Sequence, residues 1–303
     1  MFFLGYGFLG HEKVLIRAVP FVFVLLWSTG FIGARFALPY IEPFNLLFIR
    51  MLMTLVVFFL LIQFFKAKWP SAPEAGHQMV VGLLIHALYL GGVFVAIKLF
   101  LPAGITALVV GLQPLLTALF AWLFMGQVMR LQQGVGLLIG LFGIVLVLGS
   151  GIVGQSFEIH PVALVAVIVS LLSISIGTLY QKRFGGQTDL LTGSFYQYLA
   201  TALCMGVLAY SFETREIVWH SELIFALLWL VLGLSVSAIL LLMLMIRLGE
   251  VSKVASYFYL VPPLTAIEAW WLFDEQLTLF TLVGVVITVM GVYLALRKSS
   301  TTG

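Results

Sequence analysis

The sequence predicts an all-α membrane protein of ten transmembrane helices, arranged as an inverted five-plus-five structural repeat with both termini in the cytoplasm. Three observations support this fold class. Hydrophobic residues make up 62% of the 303 residues and charged residues 9%, whereas soluble domains contain about 45–50% and about 25%. Ten long apolar runs follow one another along the chain. When these runs are threaded through a membrane, the basic residues collect on one side.

The ten apolar runs are separated by short polar connections. A spanning helix needs about 20 apolar residues. Strands of a membrane β-barrel would alternate polar and apolar residues, whereas 52–65 and 227–246 are almost continuously apolar, which favours helices. Residues 1–10 receive no assignment, and the charged residues that follow them indicate an uncleaved first span. The predicted spans are 18–38, 44–65, 79–98, 103–125, 132–152, 161–181, 190–210, 223–246, 254–273 and 278–296.

The distribution of Lys and Arg sets the predicted orientation. With a cytoplasmic N-terminus, three basic residues face outward, namely Arg35, Lys98 and Arg215, and Arg50 lies within the second span. This strong bias predicts a multi-pass membrane protein with both termini inside. The eleven cytoplasmic ones are Lys13, Arg17, Lys66, Lys68, Arg130, Lys182, Arg183, Arg247, Lys253, Arg297 and Lys298.

The two halves of the chain match each other. Shifting the sequence by 149 positions brings Pro114 onto Pro263 and Trp122 onto Trp271. We therefore predict two five-helix repeats, at 18–152 and 161–297. Because five is odd, the second copy enters the membrane from the opposite face. Inverted repeats are typical of transporters that hold their substrate near the membrane midplane.

Several motifs resemble the EamA family of the drug/metabolite transporter superfamily. They are Trp27-Ser-Thr-Gly-Phe, the run from Pro102 to Trp122, the run from Gly136 to Ile144, and the run from Pro263 to Glu275. The resemblance covers about residues 18–297. It implies ten helices, a central cavity and ATP-independent export of small metabolites, often amino acids. The family often ends its fourth and ninth helices with Glu; Glu275 fits this pattern, whereas the first copy has Gln127.

Three ionisable residues within the predicted spans are candidates for the substrate site. Arg50 and Glu268 fall at similar depths in the outer half, where intramembrane charges usually face a partner or a cavity. They either share a polar site, as an ion pair or as ligands for a substrate carboxylate and amine, or reach the interface separately. Glu268 is also a hypothetical proton-coupling group. His86 either contacts substrate or is packed and hydrogen-bonded.

Other candidates are polar, aromatic or proline residues near the predicted midplane. Proline frees backbone carbonyls that must then be satisfied nearby, which predicts either mobile breaks or static kinks. The aromatic residues line either a cavity or the lipid. The predicted binding residues in this group are Trp27, Ser28, Tyr89, Gln113, Tyr196 and Trp270, and the predicted helix breaks are Pro114, Pro262 and Pro263.

Together these features predict a secondary transporter that exports small metabolites, preferably amino acids or related compounds. A multidrug or lipophilic-compound exporter and a passive channel are the alternatives. An enzyme is not expected, because His, Asp and Cys do not cluster, and Cys204 is the only cysteine. No cofactor, metal or nucleic acid is expected, and no P-loop is present. The expected partners are the lipid bilayer and a small-molecule substrate, with a monomer favoured.

Overall fold

A computed structural model describes residues 11–126, 131–154, 160–185, 188–241, 260–276 and 278–296. Within these ranges the chain folds into ten helical stretches, α1 to α10. Their bounds are α1 His11–Ala37, α2 Pro43–Phe65, α3 Ala72–Lys98, α4 in two parts, Ala103–Val110 and Gln113–Met125, α5 Leu131–Gly154, α6 Pro161–Phe184, α7 Leu190–Phe212, α8 Ser221–Leu241, α9 Val261–Phe273 and α10 Leu279–Leu296.

The helices are long and apolar, as the sequence predicts for a membrane protein. Among the described residues, seven helices have the length and composition to cross a bilayer, namely α1 to α4 and α6 to α8, and shorter apolar helices lie at Gly134–Val147 and Leu279–Leu294. The extended backbone of the described part includes one isolated antiparallel bridge, between Ile41 and Ile217. Residues 242–246 and 254–259 of the predicted eighth and ninth spans lie outside the described residues.

Prolines mark where several helices begin. Pro43 and Pro161 occupy the first positions of α2 and α6, where a missing backbone N–H costs no hydrogen bond. The fourth helix is interrupted after Val110 and resumes at Gln113, with Pro114 in its first turn. The described part of α9 begins at Val261, with Pro262 and Pro263 in its first turn, and residues 242–259 before it lie outside the described ranges. The fourth helix is therefore interrupted beside Pro114, whereas the breaks at Pro262 and Pro263 stay predictions.

Irregular backbone recurs at matching positions of the two halves. A π-helical segment occupies Leu83–Leu88 in α3 and another occupies Trp229–Ala238 in α8. Left-handed residues follow α2 at Lys66 and α7 at Arg215, 149 positions apart. Left-handed residues also end α4 and α9, at Gly126 and Asp274. The two halves thus share unusual local geometry as well as sequence motifs.

Helices of the first half pack against helices of the second half in two ways: some contact their own counterpart, and others form exchanged pairs. Helices α2, α4 and α5 pack directly against α7, α9 and α10. The remaining major contacts come in exchanged pairs: α3 with α6 matches α8 with α1, α3 with α7 matches α8 with α2, and α1 with α9 matches α6 with α4. Exchanging the first five helices with the last five therefore reproduces these contacts between the halves.

Glycines bring α5 and α10 into backbone contact. Gly143 approaches Gly284 and Thr288, and Gly291 approaches Gly136 and Gly140. These contacts show that the two helices run antiparallel, since higher residue numbers of α5 meet lower numbers of α10. Small residues allow such close approach in a membrane, where packing rather than a hydrophobic driving force holds helices together.

The replacement of Gly291 by Ala is predicted to separate α5 from α10. An added Cβ would lie 2.5 Å from the Gly140 nitrogen and 2.7 Å from the Gly136 oxygen, and these backbone atoms cannot rotate away. Overpacking of this kind costs about 1–3 kcal/mol. We expect a lower thermal unfolding midpoint for Gly291→Ala in detergent. Gly76→Ala is the matched control, since nothing lies within 4 Å of its added Cβ; equal effects would contradict the prediction.

Two carboxylates fasten helix ends at one end of the bundle, which we call the clasped end. Glu213, just after α7, accepts hydrogen bonds from the Phe44 and Asn45 nitrogens at the start of α2, at 2.8 and 2.7 Å. Glu275, just after α9, accepts from Ala103 at the start of α4, at 2.9 Å. Carboxylates at helix N-termini satisfy free N–H groups and interact favourably with the helix dipole.

The carboxylate of Glu275 is predicted to make stability pH-dependent. Burial raises its pKa, partly offset by its hydrogen bonds and by Arg35. Because the folded-state pKa is raised, protonation favours folding below the ordinary value of 4.5, and this contribution is lost as the pH rises through the folded pKa. The stability of the natural protein relative to Glu275→Gln should therefore fall as the pH rises above 4.5.

Thermal unfolding in detergent across pH 4 to 8, roughly the range of carboxyl and histidine titration, measures this effect. Glu216→Gln is the control, because Glu216 is exposed. Parallel profiles for the natural protein and Glu275→Gln would contradict the prediction.

Candidate substrate cavity

Three adjoining cavities meet at Trp27 in the interior of the bundle. The first is lined by residues of α1, α2, α3, α7 and α8. The second reaches the connection before α7. The third lies beside the break in α4 and the first turn of α9. Trp27 lines all three, and His86 lines the first two.

The first cavity combines a buried cation with an aromatic wall. Arg50, on α2, is 4% exposed. Its Nε and one terminal nitrogen donate to the Ser235 hydroxyl at 3.2 and 3.1 Å. Ser235 lies in the π-helical segment of α8, and its carbonyl accepts from the Tyr198 hydroxyl at 3.2 Å. The aromatic side chains of this wall are Trp27, Phe31, Tyr89, Phe94 and Tyr198.

The second cavity is more polar. His86, in the π-helical segment of α3, lies with Nε2 3.1 Å from Gln197 Oε1, and Gln197 Nε2 donates to Gln78 Oε1 at 2.7 Å. Because a carbonyl oxygen only accepts, Nε2 carries the proton in this bond. Across the cavity, Gln113 Nε2 donates to the Thr178 hydroxyl at 2.9 Å. The π-helical segments of α3 and α8 thus both supply cavity side chains, as π-bulges often do at functional sites.

The structure brings together most, but not all, of the residues singled out in the sequence. Trp27, Arg50, His86, Tyr89 and Gln113 line the cavities, with Pro114 and Pro262 beside the third.

Ser28 and Glu268 instead form a separate pair. Ser28 Oγ donates to Glu268 Oε1 at 2.8 Å, and among the residues that the structure describes Glu268 Oε2 is buried without a hydrogen-bond partner. Arg50 and Glu268 therefore have different partners.

Three further candidates lie away from this site. Trp270 is 53% exposed, on the outside of the bundle. Tyr196 packs edge-on against Trp69, with ring centroids 6.0 Å apart, near the start of α7. Pro263 is half-buried in the first turn of α9.

The sequence analysis did not single out several residues of the site. Gln78, Gln197 and Tyr198 all belong to it. Gln197 is an amide within an apolar span, and such a polar residue is the signal that would have identified it.

A family model described as the EamA-like transporter family matches residues 18–149 and 161–297. The chain belongs to the EamA-like transporter family. This confirms the resemblance drawn from the motifs, and it indicates membrane transport rather than catalysis. Both matched segments contribute to the cavities, through α1 to α4 and through α6 to α9.

Relatives of this EamA-like protein are also described as transporters. The uncharacterized transporter YvbV of Bacillus subtilis is 27% identical over 283 residues, covering 91% of this chain and 90% of that one. An uncharacterized transporter of Archaeoglobus fulgidus is 27% identical and covers 91% and 95%.

The uncharacterized inner membrane transporter YedA of Escherichia coli K12 is 26% identical and covers 85% and 83%. A solved crystal structure shares the fold, with a TM-score of 0.67, 22% identity, and coverage of 93% of this chain and 96% of that chain.

The Gln78–Gln197–His86 chain is predicted to be stabilising. Gln197→Leu would leave Gln78 and His86 each without their described side-chain partner in a buried site, and an unsatisfied buried polar group costs about 1–3 kcal/mol. We expect a lower thermal unfolding midpoint in detergent. Gln132→Leu, at an exposed position of α5, is the control and should change stability little. Unchanged stability of Gln197→Leu would show that these hydrogen bonds contribute nothing to the stability of the fold.

Proposed function

We propose that this EamA-like protein is a secondary transporter that exports small metabolites across a bacterial inner membrane by alternating access. Amino acids or related compounds are the preferred cargo class. The observation that carries the proposal is the central cavity, where Arg50 and the aromatic wall lie between helices of both halves. Predominantly apolar cavities with a few placed polar groups are typical of small-molecule sites.

The packing pattern supports an inverted repeat, with repeats at 18–152 and 161–297. Counterpart helices that touch run antiparallel: Phe44 meets Glu213, and Phe58 meets Tyr198. A two-fold axis that relates two antiparallel helices is perpendicular to both of them. Because the helices span the membrane, this axis lies in the membrane plane. Two halves related in this way can exchange conformations, which opens a central site to each side in turn.

The cavities support export from the cytoplasm. The second cavity extends to Gly185, Thr188 and Asp189, whereas Glu213 and Glu275 fasten the opposite, clasped end. With the orientation that the basic residues predict, the cavity faces the cytoplasm and both termini lie there. Cargo would enter from the cytoplasm, and release would require the clasped end to open.

An exporter of lipophilic compounds with the same fold is the second candidate, favoured by the aromatic wall of the first cavity. We also propose that Glu268 couples transport to protons. In the described part of the chain, its Oε2 is buried without a hydrogen-bond donor. Since α5 and α10 use their glycines within the chain, we propose a monomer.

Counterflow in proteoliposomes tests the proposed function. Vesicles loaded with an unlabelled compound should accumulate the same labelled compound with saturable kinetics, for at least one member of a panel of amino acids, organic acids and lipophilic cations. A passive channel would give unsaturated equilibration. Absence of exchange throughout the panel, from protein shown to be folded, would contradict the transporter proposal.

Trp27→Ala is predicted to weaken counterflow about tenfold, since truncation of one aromatic wall residue typically costs about 1.4 kcal/mol of contact energy. Trp27 lines all three cavities. Trp271→Ala is the matched control, because Trp271 is 75% exposed and should support normal exchange. Equal loss in both variants would argue for a general effect on the membrane-inserted fold.

A further inference from the structure

We propose that Arg50 forms a subsite for the carboxylate of a monoanionic organic acid with an apolar body and no ammonium group. This inference rests on the proposed transport function and, among small metabolites, selects monocarboxylates in place of the amino acids preferred there. It follows from the charges, the hydrogen bonds and the lining of the first cavity.

Arg50 supplies a positive charge that the surrounding described residues leave available. The guanidinium has five N–H donors in a fork that fits a carboxylate. In the described part of the chain, its hydrogen bonds go to one neutral oxygen, the Ser235 hydroxyl. A buried cation is costly unless an anion compensates it. A substrate carboxylate is an anion that this cavity can admit and orient.

Among the described residues that line the first cavity, none is Asp or Glu, so the lining supplies no carboxylate for an ammonium. Glu268 does not line this cavity, and its Oε1 accepts a hydrogen bond from Ser28. Asp189 lines the second cavity and accepts a hydrogen bond from the Leu191 nitrogen at the start of α7. An ammonium taken into the first cavity would lose its water without gaining an anion, and it would lie near another cation.

The lining sets the shape of the rest of the cargo. Beside Arg50 the wall is formed by aromatic side chains and by aliphatic ones such as Leu90 and Val93. Such a wall suits a ring or a branched chain. A single basic side chain is too few for a phosphate ester or a dicarboxylate, which need several. A monocarboxylate with an apolar body matches both the charge and the surface.

Three probes with the same phenyl body isolate the head group. They are 3-phenylpropionate, which is an anion, phenylalanine, which adds an ammonium, and 3-phenylpropionamide, which is neutral. Binding to the natural protein in detergent is measured by calorimetry. We expect 3-phenylpropionate to bind about tenfold or more tightly than either of the others, the factor typical of a charged hydrogen bond. Equal or tighter binding of phenylalanine would overturn the proposal, as would absence of binding by all three.

Variants then assign the preference to Arg50. Arg50→Gln should bind the acid and the amide equally, and Arg50→Lys should retain part of the preference through its charge. Arg183→Gln, at an exposed position near the end of α6, is the control and should keep the preference. If Arg50→Gln does not fold, the assignment is tested by Arg50→Lys and by the relative affinities of the natural protein for the three probes. A preference that persists in Arg50→Gln overturns the assignment. Saturable counterflow of phenylalanine without any acid preference would refute this inference while the proposed transport function stands.

Discussion

Inside a bilayer, polar groups must find partners within the protein or in an internal cavity, because the hydrocarbon offers none. This constraint explains where the helices of this chain depart from regular geometry. The break before Pro114 in α4 borders the third cavity. The π-helical segments in α3 and α8 carry His86 and Ser235, which line the first cavity. Irregular backbone is placed where polar side chains face each other across internal space.

The same constraint shapes the contact between the halves. At the clasped end, Glu213 and Glu275 bind free backbone N–H groups of α2 and α4. These bonds join helices that pair across the two halves. Deeper in the bundle the same helix pairs rely on apolar packing, as with Phe58 against Tyr198. Under alternating access, a few hydrogen bonds at the rim must therefore break, whereas the glycine contact of α5 with α10 can persist.

Much of the fold follows from the sequence, because length, apolar composition and proline positions act locally. The described helices lie close to the predicted spans, and α4 is interrupted just before Pro114. The partners within the site were harder to predict. Depth along a helix placed Arg50 and Glu268 at one level, yet depth does not fix which way a side chain points around the helix axis. In the structure, Arg50 donates a hydrogen bond to Ser235, and Glu268 accepts one from Ser28.

The tryptophans show the same limit. Trp27 and Trp270 both lie in apolar runs and look alike in the sequence, yet one lines three cavities and the other is 53% exposed. A helix presents different faces to lipid and to protein, and apolar lipid makes the hydrophobic pattern of the two faces similar. Polar residues separate them better. Gln197 indicates the inward face of α7, and its bond with Gln78 fixes how α7 meets α3.

The charge of the cargo bears on how export is driven. A bacterial inner membrane is negative inside, and moving one elementary charge through 100 mV is worth about 2.3 kcal/mol. A monoanion that leaves the cell while Arg50 stays within the protein therefore gains this energy, which sustains a concentration ratio of roughly 50-fold. A zwitterionic amino acid carries no net charge and gains nothing. For a monoanionic cargo, the membrane potential alone can drive export, and proton coupling through Glu268 becomes an addition rather than a requirement.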